Sequence, residues 1–392
     1  MKSRAMSRTW VEVDLDVIRE NYKIARSKIK DSTAFIAVVK ANAYGNGAPV
    51  VAAALEDQPG LYAFAVASFG EAEQLRARGV KKPILILGYT APHLAPDLYR
   101  MDLTTAIVSG EYARALNRYA REAGCTVKGH IKIDSGMSRL GIVNHHPDQL
   151  GQAVAEAEEM LSCERLEIDG IFTHFATSGW KDTEFTDMQF RNFKAVLDAL
   201  TQKGYRLPRA HCCNSGAVAF HPECELQTVR SGSLLYGFQP DPTRPVAGLR
   251  SPISLKSCVG QIKQLERGDK IGYNCTYEVQ GSMTIAVVPI GYADGLPRRL
   301  SNQVSFLVGG KQAPVIGRIC MDMCMVDVSE AGPVGVGDEV VVFGPVPGAN
   351  RCDDLAAQLD TISYELTCDI NKRMTRLYFQ GGRQVGILQY IV

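Results

Sequence analysis

A lysine ends an apolar segment near the start of the chain. The segment FIAVV (35–39) predicts a buried strand, Lys40 follows it, and ANAYGNG (41–47) predicts a turn rich in small residues. Apolar surroundings favour the neutral amine of a lysine. A neutral amine can form a Schiff base with an aldehyde cofactor such as pyridoxal phosphate (PLP). The alternative is a lysine that ends a strand and places its charge in solvent.

Alternating strand-like and helix-like segments must position this lysine. Short apolar or β-branched runs predict strands at 33–39, 62–68, 82–88, 103–109, 127–134, 168–174, 209–215 and 226–237. Amphipathic stretches between them predict helices at 71–79, 111–124, 148–161 and 187–204. This alternation predicts an α/β fold with a parallel sheet that is covered on both faces.

About eight such units fit a TIM-type (β/α)8 barrel over residues 10–240, and a doubly wound open sheet is the competing architecture. In a barrel, Lys40 would lie at the carboxyl end of a strand, where barrel enzymes hold their reactive groups.

The composition of the sequence changes after residue 237. The segment 238–252 carries four prolines and predicts a linker. Residues 250–392 predict a separate, mostly-β domain, with apolar runs such as MTIAVV and EVVVF separated by Gly, Pro, Asn and Asp. A helix is expected near 352–373.

Composition narrows the class of protein. A length of 392 residues suits two domains, and a formal net charge of +1 gives no general attraction to nucleic acid or anionic lipid. No apolar stretch approaches the roughly 18 residues of a membrane helix, and no secretion signal is evident, so we expect a cytoplasmic protein. The eleven cysteines form no C-x-x-C pair, which predicts reduced thiols and no metal site.

Several motifs, taken together, resemble those of alanine racemases, which are fold-type III PLP enzymes. The match begins at TWVEVDLD and AVVKANAYGNGA and extends to the region of Tyr364, with the motifs in the order of that family. The matching segments are KIDSGMSRLG, THFATS, CCNSGA, VRSGSLLYG, IGYNCTY, PIGYADG, GRICMDM and ISYEL. The resemblance implies PLP-dependent interconversion of L-alanine and D-alanine, which supplies D-alanine for peptidoglycan.

The resemblance implies two acid–base groups on opposite faces of the cofactor. Lys40 would hold PLP and exchange the α-proton of the D-amino acid. Tyr273 would serve the L-amino acid, and in this family that tyrosine comes from the partner subunit, so a homodimer with shared sites is expected. A phenol needs neighbours that tune it as a base, and His174 is the candidate. Without the resemblance, Tyr273 reads as a packing tyrosine and His174 as an ordinary strand-end histidine.

The same resemblance assigns Arg230 to the ring nitrogen of PLP. An arginine retains its proton, so the ring nitrogen would remain unprotonated and the proton would return to the substrate's Cα. An arginine in an ordinary ion pair is the alternative.

Phosphate and carboxylate contacts are also implied. The matching phosphate contacts are Tyr44, Ser215, Gly232, Ser233 and Tyr364. The side chain of Arg139 matches a contact to the substrate carboxylate and to the phenolate side of PLP, and the backbone N–H of Met321, supplied by the partner subunit in this family, matches a second carboxylate contact. Tyr292 and Tyr364 match tyrosines that narrow the entrance. Lys132 matches a lysine that is carbamylated in some family members, and the sequence by itself predicts an unmodified strand lysine.

Three positions depart from the common pattern of the family. Asn46 replaces a usual histidine, Ser233 replaces a usual isoleucine, and Gly179 stands where an acidic residue often follows THFATS. The first alternative function is therefore a serine or broad-specificity racemase, or a decarboxylase of the same architecture. Decarboxylases carry a cysteine motif in place of IGYNCTY. A non-catalytic PLP carrier is the second alternative, against which the β-rich domain argues.

Overall fold

The computed structural model describes residues 8–390. The strands are β1 (Thr9–Asp14), β2 (Ala34–Val38), β3 (Leu61–Val66), β4 (Ile84–Ile86), β5 (Leu103–Ile107), β6 (Val127–Asp134), β7 (Ile142–Val143), β8 (Leu166–Phe172), β9 (Arg209–His211), β10 (Thr228–Ser231), β11 (Ile253–Cys258), β12 (Gln261–Leu265), β13 (Lys270–Ile271), β14 (Tyr277–Glu278), β15 (Met283–Val288), β16 (Ser305–Val308), β17 (Lys311–Ile316), β18 (Cys324–Asp327), β19 (Glu339–Phe343), β20 (Thr375–Gln380) and β21 (Arg383–Leu388). The right-handed α-helices are α1 (Leu15–Arg26), α2 (Ala48–Leu55), α3 (Phe69–Ala77), α4 (Ala95–Arg100), α5 (Gly110–Glu122), α6 (Leu150–Leu161), α7 (Glu184–Gln202), α8 (Ser215–Phe220), α9 (Cys352–Gln358) and α10 (Ser363–Cys368).

Eight parallel strands form the first unit. Their order is β10-β2-β3-β4-β5-β6-β8-β9, and each paired neighbour is parallel. Between the two end strands, the backbone N–H of Arg230 donates to the carbonyl of Cys213 at 2.9 Å, which draws the sheet into a nearly closed ring. The predicted (β/α)8 barrel is confirmed, and the open sheet is wrong. Strand β2 is buried over most of its length because both faces of a barrel strand are covered.

A ten-stranded sheet forms the second unit. Its order is β12-β15-β18-β17-β16-β19-β11-β1-β20-β21, and the pairings are antiparallel except that β1 is parallel to β20. Residues 8–18 and the short stretch Tyr44–Gly47 group with residues 250–390 in this unit. Strand β1 therefore belongs to the β-rich unit, whereas the sequence pattern assigned residues from 10 onward to the barrel.

The helix expected near 352–373 is wrong as one element. The chain forms α9 and α10 instead, with Asp360 in the left-handed region at φ 54° between them. The N–H of Thr361 donates to the carbonyl of Ala356 at 3.0 Å, which closes the end of α9 and turns the chain.

Two further observations bear on the class of protein. Within residues 8–390, no helix is long and apolar enough to cross a bilayer. All eleven cysteines are free thiols, as the absence of C-x-x-C spacing predicts.

Candidate active site

Lys40 begins a left-handed turn directly after β2. The four residues that follow it, 41–44, have φ values between 50° and 55°. Consecutive left-handed residues other than glycine are costly, at about 1–2 kcal/mol each. Such a conformation persists only where its surroundings hold it, so the position of Lys40 is strongly constrained.

Glu71 is one group that holds this turn, and the sequence analysis did not identify it. Its carboxylate accepts the N–H of Ala41 at 2.6 Å and the N–H of Ala67 at 2.7 Å. It also completes a capping box with Ser68 at the start of α3. One carboxylate thus ties the turn after β2 to the loop after β3. The only sequence signal was the S-x-x-E spacing, which indicates a helix start and nothing more.

Arg230 on β10 is buried, at 2% exposure, and its hydrogen-bond partners are backbone carbonyls and imidazoles. One terminal nitrogen, Nη1, contacts Nδ1 of His211 and donates to the His211 carbonyl at 3.1 Å. The other, Nη2, donates to the Thr173 carbonyl at 2.7 Å and lies 3.4 Å from both the Cys212 carbonyl and Nδ1 of His174. Among the described residues, Nε of Arg230 has no such partner, so its N–H is available to a ligand. The alternative of an ordinary ion pair is not found at this side chain in the described chain.

Positive charges and burial determine the protonation of two neighbours. Burial, followed by the charge of Arg230, lowers the pKa of His174 well below its ordinary value, with Lys132 and Lys40 contributing. Burial, followed by the charges of Arg230 and Arg139, lowers the pKa of Lys132 well below its ordinary value. The ammonium position of Lys132 lies 4.3 Å from the ring centre of Phe172. His174 is therefore a neutral imidazole near neutral pH, and the neutral amine of Lys132 is favoured.

Asp134 holds the loop that carries Arg139. Its carboxylate accepts the backbone N–H groups of Gly136, Met137, Ser138 and Arg139 at 2.9–3.1 Å. Burial raises the pKa of Asp134, but these hydrogen bonds outweigh it and the pKa is lowered overall. An ionised side chain at the end of β6 therefore orders the loop and leaves the Arg139 side chain exposed.

The predicted phosphate contacts of the barrel unit lie together. Ser215 begins α8, and its Oγ accepts the N–H of Gly232 at 2.9 Å and lies 3.1 Å from Oγ of Ser231. Ser233 follows Gly232 and starts a short 3-10 turn. Serine hydroxyls and the start of the Ser233 turn therefore lie together after β9 and β10, and such groups suit an anion, while the N–H of Gly232 is bonded to Ser215.

Tyr44 and Tyr364 meet in the β-rich unit. Their ring centres are 6.0 Å apart in an edge-to-face arrangement. Burial raises the pKa of both phenols, so each is a neutral hydrogen-bond donor. The sequence analysis assigned both tyrosines to the phosphate, and their mutual contact would allow both to bind one group.

Tyr273 and Met321 line one cleft of the β-rich unit. The cleft has a volume of about 620 Å³, and Asp322 also lines it. Tyr273 is 67% exposed and Met321 is 53% exposed. In the part of the chain that the structure describes, the Met321 backbone N–H has no hydrogen bond. Two groups far apart in sequence, both predicted to serve a partner subunit, are thus adjacent and accessible.

The Tyr292 turn packs against the Met321 loop. The N–H of Tyr292 donates to the Cys320 carbonyl and that of Ala293 to the Met321 carbonyl, both at 3.0 Å. A Cβ on Gly291 would lie 2.3 Å from the Cys320 carbonyl oxygen, so only glycine permits this approach. Tyr292 is thereby positioned beside Met321, and its side chain is exposed.

A buried carboxylate supports this loop pair. Asp294 is fully buried and accepts from Arg8 and from Arg373, with contacts of 2.8 Å, and from the N–H of Gly291 at 3.0 Å. Arg373 also contacts Asp322 at 2.8 Å. Burial raises the pKa of Asp294, but the two arginines outweigh it and the pKa is lowered overall.

Replacing Asp294 with Asn should lower the free energy of unfolding by roughly 3 kcal/mol, because two guanidinium groups lose a buried partner. The folded-state pKa of Asp294 is lowered, so its contribution is present above the unfolded pKa of about 3.9 and is lost as the pH falls through the folded value. Urea unfolding measures both effects. The control is Asp322→Asn at a half-exposed pair, which should cost less than about 1 kcal/mol. Equal losses in the two variants would contradict the role of Asp294.

The departure at Gly179 has a local cause. A Cβ there would lie 2.5 Å from the Pro240 carbonyl oxygen, and the Gly179 carbonyl accepts from Arg244 at 2.9 Å. An acidic side chain does not fit this backbone packing, so the substitution follows from the neighbouring 240–244 loop.

Comparison with known proteins decides the family. Residues 13–240 match the family described as "Alanine racemase, N-terminal domain", and residues 252–378 match "Alanine racemase, C-terminal domain". The chain belongs to the alanine racemase family. This is a family of PLP-dependent racemases.

Members of the alanine racemase family match over nearly their whole length. "Alanine racemase" of Desulforamulus reducens is 40% identical over 373 residues, which cover 94% of this chain and 98% of that protein. The solved alanine racemase of Clostridium difficile 630 has a TM-score of 0.92 and 36% identity, covering 98% of this chain and 99% of that one. A histidine racemase from Leuconostoc mesenteroides also matches, with a TM-score of 0.86, 27% identity and coverage of 95% and 98%.

The structure groups the predicted site residues into two sets, each within one unit. The barrel unit holds Arg230 on β10 and brings Lys40, Arg139, His174, Ser215, Gly232 and Ser233 to the segments after its strands, and the β-rich unit holds Tyr44, Tyr273, Tyr292, Met321 and Tyr364. The sequence analysis missed the groups that fix these residues in place: Glu71, Asp134, His211 and Asp294. Glu71, His211 and Asp294 act on residues from other elements, and the sequence alone does not show such pairings, whereas Asp134 acts on the loop that directly follows it.

Proposed function

We propose that this protein interconverts L-alanine and D-alanine with PLP as its cofactor, as a homodimer whose two sites each combine both subunits. The observation that carries the proposal is Arg230, a buried guanidinium with neutral acceptors on Nη1 and Nη2 and a free N–H on Nε. Burial lowers the pKa of Arg230 to about 10, which is still well above neutral, so the guanidinium keeps its proton and donates a hydrogen bond without protonating a ring nitrogen. PLP-dependent racemisation requires that the proton return to Cα, and an unprotonated ring nitrogen favours that outcome.

The donor chemistry of the barrel unit fits PLP. Lys40 offers an amine at a strand end, and Ser215 with the Gly232–Ser233 turn offers hydroxyl and N–H donors for a phosphate. Tyr44 and Tyr364 supply further phosphate donors by the family resemblance. When bound, PLP supplies an electron sink that acidifies the α-hydrogen of an amino acid.

Two residues move the α-proton in this proposal. The amine of Lys40 takes it from, or returns it to, the face used by D-alanine. The phenol of Tyr273 of the partner subunit does so on the face used by L-alanine. Tyr273 is suited to this because its side chain is largely exposed on its own chain, beside an unbonded Met321 N–H.

His174 can tune the partner's phenol through its tautomer. Nη2 of Arg230 can only donate, so Nδ1 of His174, 3.4 Å away, faces it as an acceptor. A neutral imidazole with an unprotonated Nδ1 carries its hydrogen on Nε2. That N–H can donate to the phenolate of Tyr273 of the partner subunit, which makes the phenol a stronger acid and a usable base near neutral pH.

Substrate recognition rests on two donors. The guanidinium of Arg139 and the N–H of Met321 of the partner subunit bind the carboxylate. Tyr292 and Tyr364 narrow the entrance and favour a methyl side chain. We place the reaction in the cytoplasm, where D-alanine is supplied for peptidoglycan.

A broader amino-acid racemase is the second candidate. The similarity to a histidine racemase favours it, because the same fold then acts on a larger side chain. The purified protein with PLP should be assayed against a panel of L-amino acids that includes alanine, serine and histidine. Fastest loss of optical activity with alanine supports the first candidate. Comparable rates with serine or histidine support the second, and bound PLP without any racemisation refutes both.

Lys132 is expected to be carbamylated. Its lowered pKa favours the neutral amine, which adds to CO₂ and loses a proton to give a carbamate. The new anion would offset the charge of Arg139 beside it. Protein equilibrated with ¹³C-labelled bicarbonate should give a carbamate NMR signal that disappears in Lys132→Ala and persists in Lys128→Ala, an exposed lysine on the same strand. The assignment would be contradicted if the signal persisted in Lys132→Ala, or if the protein without any substitution gave no signal.

A further inference from the structure

A line of hydrogen-bonded side chains runs inside the barrel from Arg230, and the proposed mechanism does not use it. Nη1 of Arg230 contacts Nδ1 of His211. Nε2 of His211 lies 2.9 Å from Nδ1 of His130, and Nε2 of His130 lies 3.2 Å from Oδ1 of Asp169. The other oxygen of Asp169 accepts from Nε of Arg209 at 2.7 Å.

The two ends of this line fix the direction of every hydrogen bond in it. A guanidinium only donates, so Nδ1 of His211 is an acceptor and its hydrogen lies on Nε2. That hydrogen points to Nδ1 of His130, which is therefore also an acceptor, so the His130 hydrogen lies on Nε2. A carboxylate only accepts, and Asp169 receives this last hydrogen. Both imidazoles are thus neutral Nε2–H tautomers.

The fold is built to hold the two imidazoles. His211 is 0% exposed and His130 is 3% exposed. The ring of Phe172 stacks on His211 with centres 4.8 Å apart and planes 16° apart. A Cβ on Gly170 would lie 2.4 Å from Cδ2 of His130, so the neighbouring strand provides space for that ring only as glycine. These contacts leave the rings little freedom to turn.

The line also supplies a distant counter-charge to Arg230. The hydrogen-bond partners of Arg230 within residues 8–390 are backbone carbonyls and imidazoles, and the nearby charge of Arg139 has the same sign as that of Arg230. Asp169 is the carboxylate at the end of the line. Its pKa is raised by burial but lowered overall by His130 and Arg209, so it is ionised. Burial, with Arg230 next to it, lowers the pKa of His211 well below its ordinary value, which agrees with a neutral ring.

We propose that Asp169 is a positioning residue for the cofactor contact of Arg230, acting through His130 and His211. The carboxylate orients two imidazoles in sequence, and the second imidazole fixes Nη1, which leaves Nε as the N–H that faces a ligand. This inference rests on the proposed function for the identity of the ligand. The hydrogen positions themselves do not depend on it.

The first test needs no PLP and uses substitutions only to assign signals. The protein contains seven histidines, and ¹⁵N-histidine labelling of the cofactor-free protein reports the tautomer of each ring. His211→Gln and His130→Gln serve only to assign the signals. Neutral Nε2–H tautomers at both positions near pH 7 are expected. A doubly protonated ring, or a hydrogen on Nδ1 at either position, would overturn the proposal.

The second test compares two carboxylates of the barrel unit. Asp169→Asn removes the charge at the end of the line, whereas Asp102→Asn removes a half-exposed carboxylate that pairs with Lys128 at 2.7 Å and does not contact the imidazoles. Asp169→Asn should weaken PLP binding about 10-fold, shift the absorbance of the bound cofactor and lower kcat more than KM. Asp102→Asn should change none of these.

The outcomes separate this inference from the proposed function. If the two variants bind PLP equally and give the same spectrum, Asp169 has only a structural role and the inference fails, while racemisation by the unmodified protein still supports the function. If the unmodified protein binds PLP but does not racemise amino acids, the proposed function fails, and the tautomers and the PLP affinity of Asp169→Asn still decide the inference.

Discussion

Replacing Lys40 with alanine should eliminate the visible absorbance of bound PLP that borohydride removes, and should reduce racemisation by at least about 10⁴-fold. The substitution deletes both the amine that holds the cofactor and the base for the D-face. A single general acid–base group contributes about 10²–10⁴-fold, and here the anchor is lost as well. Absorbance spectroscopy and polarimetry measure the two effects.

The matched control is Lys128→Ala. Lys128 is also a barrel-strand lysine, but it is half-exposed and pairs with Asp102. It should retain the absorbance and the activity. An unchanged PLP band in Lys40→Ala would show that another amine holds the cofactor, and would refute the assignment of Lys40.

Replacing Tyr273 with phenylalanine should impair the two directions unequally. Removal of the α-proton of L-alanine should fall by about 10²–10⁴-fold, because the phenolic oxygen is its base. Removal of the α-proton of D-alanine, which uses Lys40, should fall much less. Exchange of the α-hydrogen with deuterated solvent, followed by NMR from each enantiomer, measures the two rates separately.

Tyr277→Phe is the control for this experiment. Tyr277 lies four residues further along, in β14, and packs against a core cluster that includes Ile271 and Val279. Losing its hydroxyl should leave both exchange rates nearly unchanged. Equal losses for the two enantiomers in Tyr273→Phe would contradict acid–base groups on opposite faces.

The sequence predicted the barrel well because its strands are continuous apolar runs. The run VKGHIKID predicted β6 at its observed bounds, Val127–Asp134, and Lys40 follows β2 as expected. The pattern did not show that β1 pairs with β11 and β20, because strand pairing over such a separation leaves no local signal. The split of the helix near 352–373 depends on one left-handed residue, Asp360, whose conformation the periodicity does not encode.

The residues of the candidate site were predicted mainly through family motifs. The residues that hold them in place were not predicted. The residues assigned to PLP and substrate lie in motifs that can be read in order along the chain. His211, by contrast, stands in a predicted strand, but its partners lie on β6 and β10. Asp169 lies on β8, whereas the arginine that we propose it positions lies on β10. Such residues become visible only when the barrel brings the strands together.

The central claim is that Lys40 and Tyr273 of the partner subunit serve one site, and mixed dimers test it most directly. Lys40→Ala and Tyr273→Phe homodimers should each be nearly inactive in racemisation. Unfolding and refolding a mixture of the two should produce mixed dimers in which one of the two sites has both groups intact, restoring about a quarter of the unmodified activity. If Lys40 and Tyr273 of the same chain formed the site, mixing would restore nothing, and that result would contradict the account.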